Sequence, residues 1–289
     1  MTSDTDNEKG LSSLQRAFKL LRAVLDSDDG ARLNRLAQQT GMTQPTAHRL
    51  LHALIDEGMV EQDAAKAYRP TLALFAMAAK SARRGNLRDL CRPILLRMSA
   101  TLSDTTFLIV RNGYDAICLD RCEGALPIRS FTGDIGGRVV LGTGQASLTI
   151  LAFLPEAERE EVIRFNLPRL LDAKLHDEVS LRLAIDWVRE QGYAVSRGIG
   201  SFPGDGGVNS FPGMGGVAVP ILDRDGRALA SLSIGTLAER LNAQRLPTVV
   251  SILQREAAAL TQQLDPFDPS SRRPAQMLGG ASSDRMNSL

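Results

Sequence analysis

Apolar residues recur at helical spacing in three consecutive segments near the start of the chain. Leu14, Ala17, Phe18, Leu21, Val24 and Leu25 form the first stripe, which stops at the acidic and glycine-containing run 26–30. Leu33, Leu36 and Ala37 form the second, and Ala47, Leu50, Leu51, Leu54 and Ile55 carry the third through two turns. Thr40-Gly41-Met42 separates the last two, and Gly41 can take the positive φ of a tight interhelical turn. Thr43 is placed to N-cap the third helix, with Pro45 in its first turn, where a missing amide proton costs little. Residues 59–62 and 67–69 then alternate as short strands around a polar tip at 63–66. Three helices and a β-hairpin make a winged helix-turn-helix.

Further along, residues 71–84 predict a linker helix and residues 87–102 a second helix, with Gly85-Asn86 between them. Strands are expected at 106–110 and 115–119, joined by an Asn-Gly turn, and a third at 126–131. Helices follow at about 143–153, 156–165 and 178–192, then strands at 193–196, 216–222 and 228–234, with Asp225-Gly226 turning the last hairpin. A closing helix at about 246–264 packs through Val249, Leu253 and Leu260. The fold class is α+β, with an antiparallel sheet flanked by helices.

The helix wheel gives the third segment its candidate chemistry. At 100° per residue, the side opposite Ala47, Leu50 and Leu54 carries Pro45, Arg49, His52 and Asp56, flanked by Thr46 and His48. Gln44, Thr46, His48 and Arg49 could therefore point into a major groove: Gln pairs with adenine, Arg with guanine or phosphate, and a Thr hydroxyl with phosphate. Lys66 and Arg69 on the hairpin would face phosphates. The two helices alone also fit an αα-hairpin of any helical protein; the flanking helix and wing favour DNA.

At the other end, residues 139–147 bring small residues to a helix start, whose free amides attract anions. A carboxylate suits such a site. The Gly-Thr-Gly-Gln-Ala-Ser run lacks the third glycine and downstream acid of a dinucleotide fingerprint, and a tight strand-to-helix turn without ligand is the plainer alternative.

The stretch from Ser13 to Arg69, with SLQRAFKLL, LAQQTGMTQPTAHRLLHALIDEGMV and AYRP, resembles the DNA-binding domain of the IclR family of bacterial transcriptional regulators. TGQASLTILAFLP, WVREQGYAVSRG and GGVAVPILDRDGRALASLSI follow in the order of that family's effector-binding domain, so the resemblance spans roughly 11–265. It implies a GAF-like second domain and a homodimer or homotetramer, paired partly through the linker, on a pseudo-palindromic double-stranded operator. It also implies an effector pocket walled by Ile128, Phe131, Val139, Gln145, Ala146, Ser196, Gly216, Ser233 and Gly235. The boundaries expected are a winged domain at 11–71, a linker at 72–86, the effector domain at 87–265, and disordered ends at 1–10 and 266–289. Two departures stand out. Where the family usually shows Leu-His-Ala-Thr and then Gly-Lys-Ala, this chain has Leu141-Gly142-Thr143-Gly144 and Ser147-Leu148-Thr149, which leaves effector identity open. Residues 201–209, SFPGDGGVN, and 210–218, SFPGMGGVA, are a near-perfect tandem duplication, either a tolerated surface loop or a glycine-hinged lid led by Phe202 or Phe211.

Composition narrows the classes. A chain of 289 residues fits about two domains, and its net charge of +1 argues against a protein coated in nucleic acid. Residues 10–85 nonetheless hold eleven Lys and Arg against seven Asp and Glu, enough for a regulator that must also release its site. No run approaches the ~18 apolar residues of a membrane span, and the polar, acidic start is unlike a signal peptide, so the cytoplasm is expected. Cys91, Cys118 and Cys122 are too few and unevenly spaced for a disulfide scaffold, and Cys118 and Cys122 do not point together for ligation. No nucleophile elbow, P-loop or HExxH motif is present, so no catalytic residue or cofactor is expected. His48 and His52 stand at i, i+4, with no third ligand to complete a metal set. Asp104, Asp115, Asp120 and Glu123 are expected in turns and at the surface. The leading expectation is a ligand-responsive regulator of a neighbouring catabolic operon with a small carboxylate or aromatic acid as effector. The alternative is a small-molecule-binding protein or enzyme keeping a degenerate helix-turn-helix for protein contacts.

Overall fold

The computed structural model describes residues 12–27, 29–81, 87–126, 134–173, 177–196 and 213–264. The chain divides into two compact units, Met1–Arg84 and Gly85–Leu289.

The first unit runs α1 (Ser13–Leu25), β1 (Ala31–Arg32), α2 (Leu33–Thr40), α3 (Gln44–Asp56), β2 (Val60–Gln62), β3 (Ala67–Pro70) and α4 (Leu72–Ser81). A capping box opens α1: the Ser12 hydroxyl accepts from the Gln15 amide, and the Gln15 side chain accepts from the Ser12 amide. Its core comprises Leu20, Leu21 and Val24 with Leu36, Ala37, Ala47, Leu50, Leu51, Val60 and Tyr68. The stripe read on α1 is thus shifted. Leu20 faces the core, whereas Leu14, Phe18 and Leu25 are each at least half exposed. The apolar arc is wider than the core it meets, and at 100° per residue the three exposed residues fall together on its outer edge. Gly41 takes φ 71° between α2 and α3, as its position requires. Two-residue β1 was not foreseen; it joins the wing antiparallel as the sheet β1-β3-β2, an extension too short to leave a period-2 signal.

The second unit runs α5 (Leu87–Leu102), β4 (Thr105–Asn112), β5 (Asp115–Cys122), β6 (Arg138–Val140), α6 (Gly144–Ala152), α7 (Glu156–Asp172), α8 (Glu178–Gln191), β7 (Ala194–Ser196), β8 (Met214–Leu222), β9 (Ala228–Leu237) and α9 (Arg245–Gln263). One antiparallel sheet, ordered β6-β5-β4-β9-β8-β7, carries a core that includes Leu95, Met98, Leu108, Ile150, Leu151, Val219, Leu232 and Leu253. Register assigns its faces. Thr106 in β4 donates its hydroxyl to the Leu95 carbonyl of α5, whereas Ser231 in β9, opposite Ile109, meets Thr149 of α6 at 2.8 Å. Residues of odd separation on a strand point to opposite faces, so α5 and α6 cover opposite sides.

Several boundaries differ from the sequence reading. Helix α7 continues seven residues past 165, through Pro168, because the buried Asn166 donates to the carbonyls of Tyr114 and Leu141 and fixes the helix to the sheet's loops. Strand β6 occupies residues for which no separate strand was bounded, just before the expected strand-to-helix turn. Strand β8 begins at Met214, so Met214–Ala218 of the second SFPG copy is paired strand, with Met214 opposite Leu237 and Gly216 opposite Gly235. Residues 201–212, including Phe202 and Phe211, and most of the expected strand at 126–131 lie outside the described residues.

Candidate DNA-reading surface and effector site

Helix α3 owes its orientation to Ala47, Leu50 and Leu51, which are buried and hold its other side outward. Gln44, Pro45, His48, Arg49 and His52 are all exposed on that side. Pro45 stands in the first turn, as read. Thr43 occupies the N-cap position but makes no side-chain cap: its hydroxyl donates to the Thr46 hydroxyl at 2.9 Å, so the expected amide partner is replaced by a neighbouring side chain. The rings of His48 and His52 meet edge to face, with their Nε2 atoms 3.2 Å apart.

The wing is organised by Asp63. Its carboxylate accepts from the Ala67 amide at 2.9 Å and from Arg69 Nε at 3.0 Å across the hairpin. Those bonds, the amide bond foremost, hold its pKa below the ordinary carboxylate value despite partial desolvation. Arg69 is therefore first a brace of the wing, with its guanidinium still partly exposed. Lys66 sits at the tip with φ 59°, a conformation costly for a residue with a Cβ. It is exposed.

In the second unit, the register gathers much of the expected pocket. Gly216 lies between Ser196 of β7 and Gly235 of β9, and Ala218 faces Ser233 one pair further on. These small residues share the face covered by α6, leaving a floor with little side-chain bulk beneath the first turn of that helix. A Cβ on Gly216 would collide with the Gln145 carboxamide and lie 2.6 Å from the Ile234 carbonyl oxygen, so glycine there is what allows Gln145 its place. Thr143, the N-cap residue of α6, is buried, and its hydroxyl finds no hydrogen-bond partner. The following turn is held by Ser147, whose hydroxyl donates to the Thr143 carbonyl at 2.5 Å and accepts from the Gly142 amide. Ala146 is half-buried beside Gln145. Val139 stands apart from this group in sheet order, paired with Ala116 at the β6 edge. Ile128 and Phe131 lie outside the described residues.

The Gly216 contact yields a measurable coupling. Gly216→Ala is expected to destabilise the unit by about 1–3 kcal/mol, through overpacking. Gln145→Ala in the same chain is expected to restore part of that loss, because one of the two clashes is with the carboxamide. Urea midpoints of the four chains of the cycle measure it, and strict additivity would contradict the contact.

Two carboxylates expected at the surface are instead fully buried. Asp104 accepts from Thr236 Oγ1 at 2.7 Å and Arg245 Nη2 at 2.5 Å, and pairs with Arg240 Nη2 at 3.2 Å. Asp120 lies against Arg92 at 2.9 Å and Arg88 at 3.3 Å, and accepts from the Arg121 amide. Both sit in local sequences that look like turns, and their partners come from distant elements. The cysteines are buried and free of disulfides. A register shift at Leu108/Ile109 leaves Cys118 opposite Ile109 and Cys122 opposite Thr106, hence on opposite faces. Burial pushes the thiols of Cys91 and Cys118 up to about 12, so both stay protonated and unreactive at neutral pH. Among the described residues, no group of three or more His, Cys, Asp or Glu is arranged to hold a metal ion, and no helix is long and apolar enough to cross a membrane.

Comparison with known proteins decides what these two units are. The IclR helix-turn-helix domain model matches residues 13–64, and the bacterial transcriptional regulator IclR C-terminal model matches residues 79–262. The chain belongs to the IclR family. Its relatives include the HTH-type transcriptional regulator KipR of Bacillus subtilis, 26% identical over 80% of this chain and 89% of that protein. BhcR of Paracoccus denitrificans is 26% identical over 93% and 92%, respectively. Among solved structures, the Thermotoga maritima IclR aligns with a TM-score of 0.63 at 23% identity, covering 87% of this chain and 98% of that one. An IclR homologue from Microbacterium hydrocarbonoxydans, complexed with 4-hydroxybenzoate, gives 0.68 at 22% identity, covering 88% and 99%. This IclR-family chain is a DNA-binding, ligand-responsive transcriptional regulator and not an enzyme: a winged helix-turn-helix is followed by an effector-binding domain with an antiparallel sheet.

Proposed function

We propose that this regulator controls a neighbouring catabolic operon in the cytoplasm, binds a pseudo-palindromic operator as a homodimer or homotetramer, and takes a small organic acid as effector. The observation that carries the effector reading is the buried, unpartnered Thr143 hydroxyl at the start of α6, two residues before Gln145, whose carboxamide lies over Gly216. Free amides of the helix start, that hydroxyl and the Gln145 carboxamide, which lies over Gly216, offer donors to a carboxylate. The 4-hydroxybenzoate bound by the Microbacterium homologue is an acid of this kind. Gln44, Thr46, His48 and Arg49 would read bases or phosphates, with Lys66 and the free edge of Arg69 on the flanking backbone. Pairing of chains is supported by the outer edge of α1 and by Leu72, Phe75 and Met77 of α4, large apolar side chains that are more than half exposed.

Effector and DNA must be linked through different affinities for two states. Titrating 4-hydroxybenzoate and related small acids into the operator complex is expected to shift DNA affinity about fivefold or more for one of them. Gln145→Ala is expected to abolish that shift while leaving effector-free DNA binding unchanged. An acid that binds the protein with no effect on DNA affinity would overturn the regulatory coupling.

A further inference from the structure

We infer that His48 and His52 form a two-nitrogen chelating site for a borderline divalent transition metal ion, placed on the outward side of α3, so that metal and DNA compete for the same two rings. The Nε2 atoms stand 3.2 Å apart. With a metal–nitrogen distance of about 2.0–2.1 Å, that separation subtends an angle of about 100° at the ion, between the octahedral and tetrahedral values. One turn of helix sets the spacing, and the helix is anchored by the buried Ala47, Leu50 and Leu51, so little reorganisation is needed beyond turning the rings. In the metal-free pair the two Nε2 atoms stand at hydrogen-bonding distance, with donor and acceptor set by the tautomers; with metal bound, both present lone pairs to the ion, and water completes its shell. Imidazole pairs select Zn(II), Cu(II) and Ni(II) over Mg(II) and Ca(II), which prefer oxygen. The cysteines offer no rival site, being buried and protonated. Both rings are exposed beside Arg49, so a hydrated ion held there would stand between α3 and a duplex. The competition, not the chelation, rests on the proposed DNA-reading role of this face.

Calorimetric titration of Zn(II) into the untagged full-length protein, with Mg(II) as control, tests the site. One Zn(II) per chain is expected, with His48→Ala and His52→Ala each weakening it roughly tenfold or more and the double variant losing it. Alanine at exposed helix positions preserves the fold, which far-UV circular dichroism checks. Zinc binding unchanged in the double variant, or no tighter than that of magnesium, would overturn the chelating site. Repeating the titration with saturating operator duplex is expected to weaken zinc binding, and by reciprocity zinc should weaken the operator. Intact chelation with no effect of DNA would overturn the competition and count against α3 as the reading helix, leaving the metal site standing.

Discussion

A chain carrying Leu51→Asp is expected to lose its winged unit and all DNA binding, while its effector unit still unfolds cooperatively. Leu51 has no exposed surface and lies in the small core shared by α1, α2, α3 and the wing. Truncating such a leucine costs about 2–5 kcal/mol, and an unpaired carboxylate in its place adds a desolvation penalty of several more. A unit of this size holds only about 4–10 kcal/mol in total. The effector unit has a separate core, built on its own sheet and helices. Differential scanning calorimetry with amide hydrogen exchange checks the outcome: protection should vanish from α1 to α3 and persist in β4, β8 and β9. Loss of protection in both units together would contradict the account of two cores.

The second large effect is expected from Asp104→Ala, a destabilisation of the effector unit by about 3–5 kcal/mol. The carboxylate is buried and joins the start of β4 to Thr236 in β9 and to Arg245 in α9. Removing it leaves two guanidinium groups facing each other and the Leu102 carbonyl, to which both also donate. Asp104→Asn keeps the Thr236 bond and should lose less. Chemical denaturation monitored by the single tryptophan, Trp187 in α8, gives the ranking; equal stability of the alanine variant and the parent would show that the network contributes nothing.

The same carboxylate shows where sequence reasoning stops. Helix spacing and turn chemistry are local, so Gly41, Pro45 and the buried face of α3 were legible from the residues around them. Helix α5 was legible to the residue, despite Pro93, because its apolar spacing persists on both sides. Burial of Asp104 and Asp120 depends on arginines that arrive from other elements, and no local pattern announces it. The capping box at Ser12 and Gln15 was missed, although its Ser-x-x-Gln spacing is the local signal that could have found it. Strand β6 was hidden because three residues are too few to show alternation. For the effector site, resemblance named the positions and register assembled part of them: Ser196, Gly216 and Gly235 are cross-strand neighbours, while Val139 is held at the far edge strand. The exposed edge of α1 was read as part of one apolar stripe because hydrophobic periodicity reports an apolar face without saying what covers it.

The outward side of α3 is proposed to select a DNA sequence. The most direct test is a gel-shift titration on DNA upstream of the neighbouring operon and on random duplex, at moderate salt, with the parent chain and Arg49→Ala. The parent is expected to bind the upstream DNA more tightly, and the variant to lose about 1–3 kcal/mol of that preference while keeping weak nonspecific binding. Equal affinity of the parent for both duplexes, or an unchanged preference in Arg49→Ala, would contradict it.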